Sequence, residues 1–116
     1  MYLGFLGMTE RQAVRDHLDL LLLAVLRDEP AHGYAVIETL RRRSGEKFDM
    51  PEGTVYPALH RLERLGLVRS AWVEVNSRRR RIYRLTAFGR RALDREQREW
   101  EGFASAVRSV LAWGAS

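Results

Sequence analysis

The apolar positions change period along the chain, and each change marks an element. Thr9-Glu10-Arg11-Gln12 puts a hydroxyl at an N-cap and an amide three residues on, so a helix is predicted from about Glu10 to Arg27. Its second half, Leu18 and Leu20 to Leu26, is apolar nearly all round, whereas a surface helix carries a single stripe. Such a helix needs cover on two sides. In a chain of 116 residues the second cover is expected to be another subunit, with Leu18, Leu21, Leu22 and Val25 at the contact. Asp28-Glu29-Pro30 ends the helix. A second helix is predicted over His32 to Ser44, with Tyr34, Ile37 and Leu40 facing inward and Gly45 as its left-handed end. Arg41, Arg42 and Arg43 complement that helix's dipole, and a solvated helix end explains them better than DNA contact.

Asp49-Met50-Pro51-Glu52-Gly53-Thr54 has the residues of a third helix start, and the pattern runs to Leu65 before Gly66 stops it. Val55, Ala58, Leu59, Leu62 and Leu65 form one stripe at helical spacing. The opposite face carries Gly53, Pro57, His60 and Arg64, flanked by Thr54, Arg61 and Tyr56. Pro57 lacks a backbone donor, so a local irregularity is expected there. After Gly66 the pattern becomes that of a hairpin: Leu67 to Val75 as one strand, Asn76-Ser77 as the turn, Arg80 to Leu85 as the return. Trp72 is expected in the hairpin core, with contact to DNA as the weaker alternative. Thr86 then caps a last helix reaching about Trp113, with Leu93, Trp100, Ala104, Val107 and Leu111 on one face and Phe103 and Val110 widening it. That near-heptad stripe, on a long helix at the end of a small domain, asks for a partner. It is a second sign of a dimer.

The fold class is therefore mainly α with a small β-hairpin: a winged helix-turn-helix plus a long C-terminal dimerisation helix. Residues 1–9 read as a leader, with Met8 a candidate start, residues 10–85 as the DNA-binding domain and residues 86–116 as the dimerisation helix. In this arrangement the third helix enters the major groove and the hairpin, or wing, reaches the neighbouring backbone or minor groove.

Charge agrees with that reading. Lys and Arg number 20 against 15 Asp and Glu, a net charge of +5, which favours an anionic partner. Every basic side chain but Lys47 is an arginine, whose planar fork suits phosphate. Arg78, Arg79, Arg80 and Arg81 sit at the wing's tip and return strand, with Arg84 behind. A solvated charge run that discourages strand pairing is the plain alternative. Beside a helix exposing Thr54, Tyr56, His60, Arg61 and Arg64, DNA contact is the stronger reading. Plain surface or packing roles stay open for His60, Tyr34 and Tyr56 individually.

Cysteine is absent, which removes disulfides and thiol chemistry and fits a cytoplasmic protein. His17, His32 and His60 lack metal-ligand spacing, no cofactor is implied, and no nucleophile–base or carboxylate pair points to an enzyme. No apolar run approaches the length of a membrane span.

Several segments together resemble the PadR family of bacterial transcriptional regulators. They are Leu21-Leu22-Leu23-Ala24-Val25-Leu26, His32-Gly33-Tyr34, Glu52-Gly53-Thr54-Val55-Tyr56-Pro57-Ala58-Leu59-His60-Arg61-Leu62-Glu63, Gly66-Leu67-Val68 and Tyr83-Arg84-Leu85-Thr86. The resemblance covers roughly residues 18–100 and is to the short subfamily. It implies a homodimeric winged-helix repressor, with the last helix packed on the partner's first helix. It gives Thr54 and Tyr56, and more weakly Tyr34, a role at DNA, and it implies a response to small, often aromatic, compounds. The wing departs from the family in having Asn76-Ser77 where many members carry glycine before their basic residues.

Trp100 is the candidate effector residue. It lies on the inward stripe near the expected two-fold axis, where two indoles could sandwich a flat ligand; packing in a dimer core is the competing role. The leading function is a sequence-specific regulator binding an inverted repeat of double-stranded DNA as a homodimer. A winged-helix module that binds protein in place of DNA is the alternative.

Overall fold

The computed structural model describes residues 17–114. The leader, the candidate start at Met8 and the capping box at Thr9 lie outside them.

Helix α1 (Leu18–Asp28) is the centre of the domain. Leu18, Leu22, Leu23, Val25 and Leu26 are buried, and Leu20, Leu21 and Ala24 pack against the same core as partly buried residues. A short strand β1 (Ala31–His32) follows, then helix α2 (Gly33–Arg43) and helix α3 (Glu52–Arg64). The wing is strand β2 (Val68–Val75) and strand β3 (Arg78–Leu85), and helix α4 (Ala87–Ala112) completes the order. Helix α1 meets α2, α3, β3 and α4. Its all-round apolar surface is thus covered largely by its own chain. Four residues expected at a contact with a second subunit lie elsewhere: Leu18, Leu22 and Val25 are core residues of the single chain, and so is Leu93 of α4.

Strand β1 has no counterpart in the sequence reading, because two residues carry no periodicity. It pairs antiparallel with β3 through Ala31–Tyr83 and His32–Ile82, so the sheet order is β1-β3-β2. His32 also caps α2, its Nδ1 accepting from the Ala35 backbone N–H at 3.2 Å. Gly33, Val36, Ile37 and Leu40 form the buried stripe of α2. Tyr34 lies more than a quarter turn from the centre of that stripe and is 55% exposed, so it does not face inward as expected.

Helix α3 runs unbroken through Pro57. Its stripe is Val55, Ala58, Leu59 and Leu62; Leu65 falls past the last turn as the C-cap and is exposed. The wing turns on two residues, Asn76 (φ 51°) and Ser77 (φ 65°). Two successive left-handed residues match the type I′ geometry that follows the natural twist of paired strands. The missing glycine therefore leaves a tight hairpin, in register from Val75–Arg78 to Val68–Leu85. Only the base of the hairpin enters the core, through Val68, Tyr83 and Leu85. Trp72 stands beyond the base and is 58% exposed, which corrects its expected burial.

Thr86 caps α4, accepting from the Gly89 N–H at 2.9 Å while its hydroxyl donates to the Gly66 carbonyl at 2.6 Å. The backbone of Leu67 passes so close to Gly89 that no side chain fits there. The first turns of α4 bury Ala92 and Leu93. Beyond them the helix leaves the domain, and the molecule measures 59 × 28 × 25 Å. Trp100, Phe103, Val107, Val110 and Leu111 are exposed along that extension.

Candidate nucleic-acid interface

The outward side of α3 carries Gly53, Pro57, His60, Arg61 and Arg64 as exposed residues, with Thr54 and Tyr56 half-buried beside them. The buried stripe on the opposite side fixes this orientation, because it is the apolar side that docks on α1 and α2. The start of the helix is built by backbone groups: Thr54 and Val55 N–H both donate to the Pro51 carbonyl, at 3.0 and 3.1 Å. Tyr56 rests directly on Gly33, where any side chain would collide with its ring. That contact joins the start of α2 to the start of α3. The sequence marked both residues separately but gave no sign of their contact.

Tyr34 stacks on His32, with ring centroids 6.5 Å apart and planes 14° from parallel. The His32 pKa is lowered, first by burial and then by the nearby positive charge of Arg80. A neutral ring is also what the cap requires, since a protonated Nδ1 cannot accept.

The arginines of the sequence reading divide into two groups. Arg61 is held by Asp19 of α1. Arg81 is held by Glu63 at 3.2 Å, and its Nε donates to Ser70 Oγ at 2.7 Å. Ser70 in turn donates to Glu63 from both its hydroxyl and its backbone N–H, at 2.8 and 3.1 Å. This network fastens the wing to α3, and it went unread in the sequence because no local spacing links Glu63, Ser70 and Arg81 to one another. The burial that raises the Tyr83 pKa against the opposing effect of Arg81 belongs to the same corner. Arg78 and Arg79 are exposed at the wing tip, and Arg80 is half-buried beside the β1 end of the sheet.

Between α3 and the wing lies an open recess of about 350 Å³ lined by His60, Glu63, Arg64 and Arg81. It makes the outward face of α3 and the wing one continuous surface with an excess of positive charge. Such a surface can accept phosphates on either side of a major groove while α3 presents side chains to base edges.

A second feature lies away from this face. A groove of about 650 Å³ runs between α1 and α4, lined by Leu20, Leu65, Phe88, Trp100 and Phe103 among others. Trp100 meets His17 edge-on at 5.0 Å and tilts against Phe103 at 6.1 Å. Of the expected contact residues, Leu21 and Ala104 are half-buried, whereas Trp100, Phe103, Val107 and Leu111 remain open along α4.

Comparison with known proteins agrees with this geometry. The chain is 39% identical over 98 residues to the transcriptional regulator Rv3488 of Mycobacterium tuberculosis, covering 84% of this chain and 85% of that protein. A PadR family transcriptional regulator from Eggerthella lenta superposes with a TM-score of 0.76 at 34% identity, over 86% of each chain. One from Clostridium difficile gives 0.74 at 29%, over 82% of this chain and 98% of that one. Residues 22–95 match the model of the transcriptional regulator PadR-like family. With its winged helix, its outward-facing α3 and that match, the chain belongs to the PadR-like family of transcriptional regulators.

Proposed function

We propose that this protein is a homodimeric repressor that binds an inverted-repeat operator and is released from it by a small aromatic compound. The continuous surface of α3, recess and wing carries the DNA part of the reading. Thr54, Tyr56, His60, Arg61 and Arg64 supply base and near-phosphate contacts, with Gly53 and Pro57 letting the helix start approach the groove. Arg78, Arg79 and Arg80 supply phosphate contacts that set register and affinity. Arg81 orients the wing through Glu63 and contributes its remaining charge to the recess.

The dimer rests on the open apolar side of α4. Phe103, at 63% exposure, and Leu111, at 77%, are costly to leave in water over several turns. Trp100, Phe103, Ala104, Val107 and Leu111 therefore form the contact with a partner, alongside Leu21. A two-fold dimer places two α3 helices about one DNA turn, roughly 34 Å, apart. The groove at Trp100 adjoins that contact, so a planar aromatic ligand there alters the helix separation and with it DNA affinity.

Fluorescence anisotropy on the DNA upstream of the protein's own gene, against a scrambled duplex, tests the reading. Selective binding at about 10⁻⁸ M or tighter at physiological salt is expected. Equal, weak binding to both duplexes would favour a protein-interaction module. Titrating planar aromatics into the same complex tests the effector: release with quenching of Trp100 supports it, and unchanged emission across a varied panel removes it.

A further inference from the structure

Trp72 stands on the edge strand of the wing with most of its indole in water, an expensive position for the largest apolar side chain. Two arginines flank it. The Arg79 guanidinium lies 5.1 Å from the ring centroid and that of Arg81 lies 5.9 Å away. Both come from β3 on the same face as Trp72, Arg81 directly opposite it and Arg79 opposite Glu74. Arg81 is fastened to α3 by Glu63 and lines the recess with His60 and Arg64. The indole thus extends the surface that begins on the outward face of α3, and it is fixed relative to that helix through Arg81.

A nucleic-acid strand has matching chemistry. Its phosphates alternate with deoxyriboses, whose carbon edges are apolar. On this surface a phosphate at the recess would meet His60, Arg64 and Arg81, the last offsetting the Glu63 carboxylate that shares the recess, and the next phosphate would lie near Arg79. The sugar between them would meet the indole. We infer that Trp72 is a DNA-contacting residue, its ring laid against the sugar edge of the strand that crosses from the groove of α3 to the wing. The inference rests on the DNA reading above and adds to it an apolar contact that holds the wing on the duplex without reading sequence. The flanking guanidinium groups keep the exposed ring in one orientation before DNA arrives, so little freedom is lost on binding.

The test uses the full chain with Trp100→Phe and Trp113→Phe, which leaves Trp72 as the sole tryptophan. Anisotropy of a labelled duplex of the upstream sequence, and of its scrambled form, reports binding independently. On adding duplex, Trp72 emission is expected to fall and move to the blue. In the otherwise unsubstituted protein, Trp72→Ala is expected to weaken binding about tenfold on both duplexes, as loss of one large apolar contact does. The salt slope should stay unchanged, because no charge is removed. Trp72→Phe should recover most of the affinity, which separates contact from collapse of the hairpin. Normal anisotropy with unchanged Trp72 emission overturns this inference alone. A Trp72→Ala protein that binds as tightly as its parent does the same. No anisotropy change on either duplex with the unsubstituted protein overturns the DNA reading and this inference with it.

Discussion

Gly53 opens α3 on its outer side, and a Cβ built there meets no atom within 4 Å. Nothing in the free protein requires glycine at that position. Gly53→Ala should therefore raise stability by up to about 1 kcal/mol through helix propensity, read as a later urea midpoint with an unchanged slope. If α3 brings its backbone against DNA, the same change weakens binding. Unchanged affinity would show that the helix start stays clear of the duplex. His32 gives a second prediction. Its folded pKa lies below the ordinary 6.5, so the folded state prefers the neutral ring. The stability this supplies is complete above about 6.5 and is lost as pH falls through the folded value. His32→Asn keeps a capping side chain without the titration. Its melting temperature should gain on that of the parent as pH drops below about 6.5, and parallel profiles would refute the link. The motif marked Gly53, and the chain of positions marked His32, but only packing showed that one is sterically free and the other is a cap.

The wing is the element whose parts act together. Its turn, two strands and arginine content were legible from Asn76-Ser77 and the β-branched run. Once that turn is taken as two residues, Trp72 opposite Arg81 follows by counting back along both strands. The ties of Arg81 to Glu63 and Ser70 did not follow, because they join residues far apart in sequence by side-chain geometry. Replacing Arg79 and Arg80 together with Ala should weaken binding to every duplex alike. The slope of log K against log salt should fall by about 0.9 for each phosphate no longer neutralised. An unchanged slope would mean that neither side chain touches phosphate. Thr54→Ala, on α3, should change the preferred sequence and leave the slope nearly as it was, as selection from a randomised operator pool would reveal.

At the scale of the molecule, the extension of α4 sets the expected assembly. Phe103 and Val107 lie outside the chain's core, so Phe103→Glu with Val107→Glu should leave the fold intact by circular dichroism. It should convert a dimer to a monomer by sedimentation and weaken operator binding, because the two half-sites are then no longer bound as a pair. A doubly substituted protein that still sediments as a dimer would place the contact elsewhere. Leu22→Glu would act differently, unfolding the protein, because that leucine is wholly enclosed by its own chain.

Strand β1 apart, the order of elements, their types, the cationic wing and the outward face of α3 were determined by the sequence, since each depends on neighbours a few residues apart. Local spacing sets helix and strand periods, capping and turn conformation. Exposure is different, because it is the sum of contacts from distant segments. So the sequence left Leu18, Leu22, Val25 and Leu93 looking like interface, and Trp72 like core. Only the tertiary structure decided these cases. Among the described residues it wraps α2, α3, β3 and α4 around α1, encloses most of the apolar surface of that helix, and leaves Trp72 and the far half of α4 exposed.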